Sequence, residues 1–178
     1  DWSQEYNYNG TEVRTTTVYA TLDGVLQDVT VYTSVDNAVL TARPSAAELA
    51  DTGKFVKKSF TDYTGLVKGE EKVNYTLAYK ANGTDVETRT DYYYYAGVYT
   101  AADQLADPTH VEGEPRPAEA SDGANVNADS YLVRTDATRG DGTTKQITYY
   151  TGTAVGEESM DWSQEYNYNG TEVRTTTV

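Results

Sequence analysis

Apolar and polar residues alternate along most of this chain with a period of two, the spacing that sends alternate side chains to opposite faces of a β-strand. Residues 11–22 place Val13, Thr15, Thr17 and Tyr19 on one face, and residues 25–35 place Val29, Val31 and Val35 on one side. Stretches 2–8, 54–64, 73–80, 84–95, 131–138 and 143–151 read the same way. Turn residues separate them: Asn9-Gly10, Asp23-Gly24, Gly65, Asn82-Gly83 and Gly140-Asp141-Gly142. Asn-Gly and Asp-Gly tolerate positive φ, so they predict tight two-residue hairpins. Two segments break the alternation, 45–51 (SAAELAD, after Pro44) and 100–107 (TAADQLAD), and each predicts a single helical turn. Consecutive hairpins make an all-β antiparallel meander. Within it the run Tyr92, Tyr93, Tyr94 and Tyr95 sends two rings to each face, so both faces there are expected to be covered or stacked.

The chain also repeats itself. Residues 161–178 (DWSQEYNYNGTEVRTTTV) are identical to residues 1–18, a period of 160. Identity over the whole segment points to recent duplication, homogenised copies or deliberate construction. Val18 runs on into Tyr19-Ala20-Thr21-Leu22 whereas Val178 stops mid-strand, which suggests one unit plus the start of the next. An engineered duplication of a terminal strand is the alternative. An older repeat aligns 148–178 with 61–91 without gaps at 14 of 31 positions, including Gly69-Glu70-Glu71 with Gly156-Glu157-Glu158 and Asn82-Gly83-Thr84 with Asn169-Gly170-Thr171. The expected organisation is 1–60 as the second half of a module, 61–147 as a complete long module, and 148–178 as the start of the next. Modules of this kind are expected to stack into an elongated or fibrous array, each burying faces its neighbours cannot bury alone.

Composition narrows the functional classes. The net charge of −14 disfavours nucleic acid, whose phosphates select basic surfaces, and anionic headgroups. No stretch approaches the roughly 20 apolar residues of a membrane span, so membrane insertion is not expected. Leu, Ile, Val and Phe number only 29, while 17 Tyr and 28 Thr make up a quarter of the chain. Such residues favour a pleated, half-buried surface and suit thin sheets. There is no Cys.

Candidate chemistry is sparse. The one histidine, His110, lies in an acidic loop over 108–128 that is expected to be the most mobile and exposed part of the chain. No P-loop, dinucleotide fingerprint or His-Glu-x-x-His spacing occurs, and no catalytic residue is assigned. Glu70-Glu71 and Glu157-Glu158 read as solvated turn charges. Asp122, Asn125, Asn127 and Asp129 are weak calcium candidates: hard oxygen donors in a Gly-containing loop, without the EF-hand spacing. No other cofactor is expected. Arg139-Gly140-Asp141 matches a cell-receptor tripeptide but is also ordinary turn chemistry. Sequons at Asn9, Asn74, Asn82 and Asn169 fit a secreted surface, and three of them are hairpin turns.

The segments YNYNGTEVRTTTVY and AYKANGTDVETRTDYYYY resemble the Tyr-rich hairpins of the bacterial YD-repeat class, without its Asp-x-x-Gly-Arg turn. YYTGTAVGEE and the 160-residue period resemble very large repetitive bacterial surface and filament proteins. The resemblance implies an extracellular or cell-surface fibre or stalk, not an enzyme, and transfers no functional residue. The expected partners are neighbouring repeats or chains, through β-edges and the Tyr-rich faces of Tyr6, Tyr8, Tyr92, Tyr93, Tyr94, Tyr95, Tyr166 and Tyr168. The alternative is an adhesive module for a surface glycan or cell-surface partner.

Overall fold

Eleven strands form a single antiparallel sheet in the computed structural model, which describes residues 1–178. They are β1 (Trp2–Tyr6), β2 (Val13–Leu22), β3 (Val25–Ser34), β4 (Phe55–Thr64), β5 (Lys72–Tyr79), β6 (Val86–Val98), β7 (Pro115–Glu119), β8 (Leu132–Arg139), β9 (Thr144–Thr151), β10 (Ser159–Tyr166) and β11 (Val173–Thr177). Each strand pairs with the next in sequence, except that β6 pairs with β8, and β7 adds to the opposite edge of β6, the edge that also carries β5. The all-β meander expected from the alternation is therefore the fold. The two helical turns are present as well: α1 (Ala46–Leu49), capped by Ser45, and α2 (Ala101–Ala106), capped by Thr100, each through a reciprocal capping box.

The sheet is one layer thick over most of its length. Strands touch their hydrogen-bonded neighbours and little else. The accessible surface is 10702 Å², against about 8,600 Å² for a compact globule of this mass. Only 17 of 178 residues are buried. A thin sheet with few aliphatic side chains needs another cover, and Tyr with Arg or Lys supplies it. Arg89 lies over the Tyr75 ring at 4.1 Å, Arg134 over Tyr93 at 4.4 Å and Lys57 over Tyr79 at 5.1 Å. The side chains cover apolar ring surface, and the Arg89 and Arg134 guanidiniums are paired with Asp91 and Asp136.

Pairing registers expose a four-strand module that appears twice. Tyr19 in β2 faces Val29 in β3, which faces Thr61 in β4. Tyr92 in β6 faces Thr135 in β8, which faces Thr148 in β9. Tyr19 and Tyr92 correspond through the repeat, as do Thr61 and Thr148, so β8 occupies the place of β3. The modules β1–β4 and β5, β6, β8, β9 thus share a frame, and β10–β11 begin a third. Their unequal lengths come from connections. Asp23-Gly24 links β2 to β3, both with positive φ, whereas residues 99–131 are inserted between β6 and β8. Conversely, residues 35–54 link β3 to β4, where a short turn joins β8 to β9.

That insert builds the one hydrophobic cluster: Tyr94 and Ala96 on β6 against Ala120 and Val126, flanked by Tyr92, Ala118 and Leu132. The acidic 108–128 segment is consequently not a free loop. It contributes β7, its Ala120 is buried, and Lys72 Nζ donates to the carbonyls of Ala128 and Ser130, both at 2.8 Å. Charge counting read its surface and missed its buried Ala and Val.

The Asn-Gly turns also differ from expectation. β1 ends at Tyr6 rather than at residue 8, and six residues close the hairpin instead of two. Asn7 organises that loop, its Oδ1 accepting from the N–H groups of Thr11 and Glu12. Only Gly10 takes positive φ (69°). Asn82 accepts from the Thr84 and Asp85 N–H groups in the second hairpin.

Candidate functional site

Two copies of one hairpin sit in two environments. In the first, β2 docks on β3: Val13 and Thr16 are fully buried, and Val18 is buried beside them. Thr16 Oγ1 and Ser34 Oγ share a hydrogen bond of 3.0 Å. The Val13 N–H donates to the Asn37 carbonyl at 3.3 Å. Gln4 grips the following strap with both ends of its amide, Nε2 donating to the Ala38 carbonyl (3.1 Å) and Oε1 accepting from the Leu40 N–H (2.9 Å). The outer side of this copy is bare: Ser3 is exposed, and nothing lies within 4 Å of where a Cβ on Gly10 would stand.

In the second copy the arrangement is reversed. β10 docks on β9, Ser163 is buried opposite Thr148, and Trp162 stacks on Tyr149 at 4.1 Å. A Cβ on Gly170 would stand 2.6 Å from the Thr144 backbone nitrogen, so this loop is pressed against the start of β9. Gly83, its counterpart in the middle hairpin, is held the same way against Val56 and Lys57. Here the far side is bare: Val173 is 43% exposed where Val13 is fully buried, and Thr175 to Thr177 face solvent. Each copy is complete on one edge only, and together they describe one hairpin with both edges occupied.

A second recurring device holds the meander. The Glu71 carboxylate accepts the N–H of Leu26 at 2.9 Å and that of Gly69 at 2.7 Å. Glu158 does the same for Leu132 (3.0 Å) and Gly156 (2.7 Å). Backbone hydrogen bonds hold the Glu71 carboxyl below its ordinary value, foremost that from Leu26. For Glu158 the net direction is also down: slight burial raises it, and the Leu132 and Gly156 N–H groups outweigh that. These two carboxylates tie a turn to the strand beyond its neighbour, a role the solvated-charge reading overlooks. A spacing that pairs Leu26 with Leu132 through the registers would have been the signal, and it is invisible to gapless alignment.

The remaining candidates fall as follows. Tyr94 is buried, and its hydroxyl donates to the Val73 carbonyl at 2.9 Å. Burial pushes this phenol well above its ordinary range. Tyr92 packs on the same cluster, Tyr93 lies beneath Arg134, and Tyr95 stacks on Tyr131 at 4.8 Å. Both faces of the tyrosine run are therefore covered from within the chain. Tyr6, Tyr8 and Tyr168 remain exposed, while Tyr166 is half-buried. Asp122 accepts from the Asn125 amide, Asn125 Oδ1 accepts from Arg116, and Asn127 Oδ1 accepts from the Asp129 N–H, so the calcium candidates commit oxygens to their own loop. Arg139 donates to the Thr144 and Tyr166 carbonyls, and Asp141 accepts from Thr143. The Arg-Gly-Asp tripeptide is thus built into a turn. His110 stacks on Tyr99 at 4.1 Å and lies 3.8 Å from Asp107.

No protein family, curated protein or solved structure matches this chain. The hairpin and its two edges are the features from which a function can be read.

An open groove lies between the insert and the β8–β10 face. Its walls carry two stacked pairs, Tyr99–His110 and Tyr149–Trp162, with Glu114, Arg134 and Asp161 at the margin. Arg134 is committed to Asp136 (Nη2 to Oδ2, 3.0 Å). Desolvation raises the Asp136 carboxyl, and Arg134 offsets part of that rise.

Proposed function

We propose that this chain is a structural repeat of an extracellular filament, fibre or cell-surface stalk, assembled by continuing one antiparallel sheet from repeat to repeat. The observation that carries the proposal is the complementary incompleteness of residues 1–18 and 161–178. A following repeat would place its own β3 on β11, burying Val173 and Thr176 as Val13 and Thr16 are buried now. No new interface has to be invented, because each contact of the junction already exists once within the chain. The acidic surface favours solubility and spacing between neighbouring fibres. Self-association through sheet edges then fits better than through Tyr92 to Tyr95, whose rings are already covered.

The geometry of such an array follows from strand spacing. Each 160-residue period contributes eight strands to the main path of the sheet. At about 4.8 Å per strand that is roughly 38 Å of axial rise. Fibre diffraction from a concatemer of several repeats tests it. A meridional reflection near 4.8 Å, with strands across the axis, is the expected result, at about the usual strand spacing. Compact beads on linkers, giving no oriented strand reflection, would overturn the reading.

The aromatic groove favours a second reading, a glycan contact carried once per repeat. Stacked rings offer flat faces for sugar C–H groups, and Glu114 and Asp161 offer acceptors for hydroxyls. A glycan array tests it: reproducible binding lost in Tyr149→Ala and Trp162→Ala supports it, and an empty array sinks it. Tyr92 and Tyr94 are unsuitable probes, since they pack beneath the insert.

A further inference from the structure

A tyrosine stands near each end of the insert. Tyr95 lies on β6, and Tyr131 immediately precedes β8. The Tyr95 N–H donates to the Tyr131 carbonyl at 2.8 Å, one step beyond the last registered pair of the two strands, Tyr94 with Leu132. The rings are stacked, with centroids 4.8 Å apart and planes 10° from parallel. Side chains directly opposite one another leave the backbone about 4.5–5.5 Å apart. The rings keep that spacing, so they stand side by side with their ortho carbons adjacent.

This is the one tyrosine–tyrosine stack in the chain. Tyr99 meets His110, Tyr149 meets Trp162 and Tyr32 meets Phe55. Both rings of the pair are half-exposed and border an open cleft lined also by Asn127, Ser130 and Thr153, which leaves them within reach of a small oxidant. Neither residue belongs to the repeated hairpin segment.

We propose that Tyr95 and Tyr131 are a site of oxidative cross-linking, at which a one-electron oxidant of phenols (a haem peroxidase using hydrogen peroxide) joins the two rings as dityrosine and fastens the two ends of the insert together. Each phenol gives up one electron and its hydroxyl proton and becomes a phenoxyl radical. The two radicals couple, forming one C–C bond between ortho carbons. The hydrogen on each of those carbons leaves as a proton and each oxygen regains one, restoring both phenols. One peroxide takes up the two electrons and the two hydroxyl protons and leaves as two waters.

Contact selects the partner. Groups held in reactive orientation behave as though at an effective concentration of about 10⁵ M or more. Coupling between chains instead requires two molecules of net charge −14 to meet. Tyr8 and Tyr168 are more exposed, yet no second tyrosine stacks on either. The bond closes residues 95–131 into a covalent ring, so retention of the insert no longer depends only on the packing around Tyr94.

The experiment treats the full chain with a haem peroxidase and hydrogen peroxide, then maps peptides by mass after digestion with a glutamate-specific protease. The expected product is a linked pair of peptides carrying Tyr95 and Tyr131, lighter than their sum by two hydrogen atoms and showing biphenol fluorescence. Tyr95→Phe and Tyr131→Phe keep a ring in the stack and remove the phenol, so each should abolish that product. Tyr8→Phe and Tyr168→Phe should leave its yield unchanged. Oxidation in concentrated urea should lower the yield at least ~10-fold, because the preset orientation is lost. Absence of the linked pair under conditions that couple free tyrosine overturns the proposal. So does an equal yield from the unfolded chain, or a product dominated by other tyrosines or by links between chains.

Discussion

The Glu71 carboxylate accepts the backbone N–H of Leu26 at 2.9 Å, across the end of β4 that lies between them. An unpaired strand-end donor is satisfied by a side chain from the turn beyond its neighbour, and Glu158 repeats the arrangement on Leu132. Amide exchange reads both bonds directly. Glu71→Ala should speed exchange at Leu26, Glu158→Ala should do so at Leu132, and Glu70→Ala should change neither. The pH dependence follows from the depressed carboxyl. A group whose folded pKa lies below its unfolded one stabilises the fold above the unfolded value and loses that contribution as pH falls through the folded one. Protection of Leu26 should therefore persist at neutral pH, hold at the ordinary carboxyl value of 4.5, and fail only below it. Loss of protection well above that pH would contradict the assignment.

Thr16 and Thr176 offer an internal control that few proteins contain. The residues and their neighbours in sequence are the same, yet one hydroxyl is buried against Ser34 and the other faces solvent. Thr16→Ala strands the Ser34 hydroxyl, itself buried, and should cost about 1–3 kcal/mol. Thr176→Ala should stay within about 0.5 kcal/mol, the range of ordinary surface changes. Denaturant melts of the two variants measure the difference. Equal losses would mean that β11 does not present a free edge in solution.

The three Asn-Gly-Thr glycines carry the same asymmetry to the loop end. Gly10, Gly83 and Gly170 all have φ near 70°, so alanine at any of them incurs a left-handed backbone cost of about 1–2 kcal/mol. At Gly83 the added methyl would also stand 2.8 Å from Val56 Cγ1, and at Gly170 2.6 Å from the Thr144 nitrogen, while at Gly10 it meets nothing. Gly83→Ala and Gly170→Ala should therefore exceed Gly10→Ala by a further ~1–3 kcal/mol in denaturant melts, the usual penalty for overpacking. Three equal effects would show that the loops do not press on β4 and β9.

How much of this was legible in the chain depends on the range of the interaction. Period-two alternation and turn residues marked the strands because they are local, and the capping boxes of α1 and α2 were likewise readable in Ser45-x-x-Glu48 and Thr100-x-x-Asp103. The Asn9-Gly10 turn misled because Asn7, two residues earlier, organises a longer loop by accepting two backbone N–H groups. The equivalence of β3 and β8 could not be read, since Val29 and Thr135 share a place in the sheet but not a chemistry. Burial of Ala120 and Val126 was hidden because their partners Tyr94 and Ala96 lie far back along the chain. The repeat pointed to sheet edges as a class of assembly surface. Which side of each hairpin is open became visible only through the registers.

The insert should be the part of the chain most sensitive to Tyr94 and to alkali. Tyr94 anchors the one cluster, so Tyr94→Ala should release residues 99–131 as a protease-sensitive segment, at a cost of about 3–5 kcal/mol if the strands stay paired. Tyr94→Phe keeps the ring and loses only the bond to the Val73 carbonyl, about 0.5–1.5 kcal/mol. The phenol is raised by burial, so the fold favours its neutral form. Its contribution is full below the ordinary value of 10.0 and declines as pH rises beyond it, when the unfolded chain ionises first. Limited proteolysis across that range should therefore show an earlier onset of cleavage in the insert for the unsubstituted chain than for Tyr94→Phe.

A continuing sheet and a string of independent beads differ in cooperativity. In a continuing sheet, stability is a sum of module terms and nearest-neighbour interfaces, so adding one following repeat should transfer protection to residues that lack it now. The N–H groups of Val173 to Thr177 that point away from β10 are the reporters, because in residues 13–17 the corresponding groups face β3 and its strap. In a chain extended by one full period these amides should exchange as slowly as their counterparts in β2, while β1 should be unaffected. If the extension leaves them as fast as in the 178-residue chain, the repeats fold apart, and the identity of the two hairpins records duplication without a shared sheet.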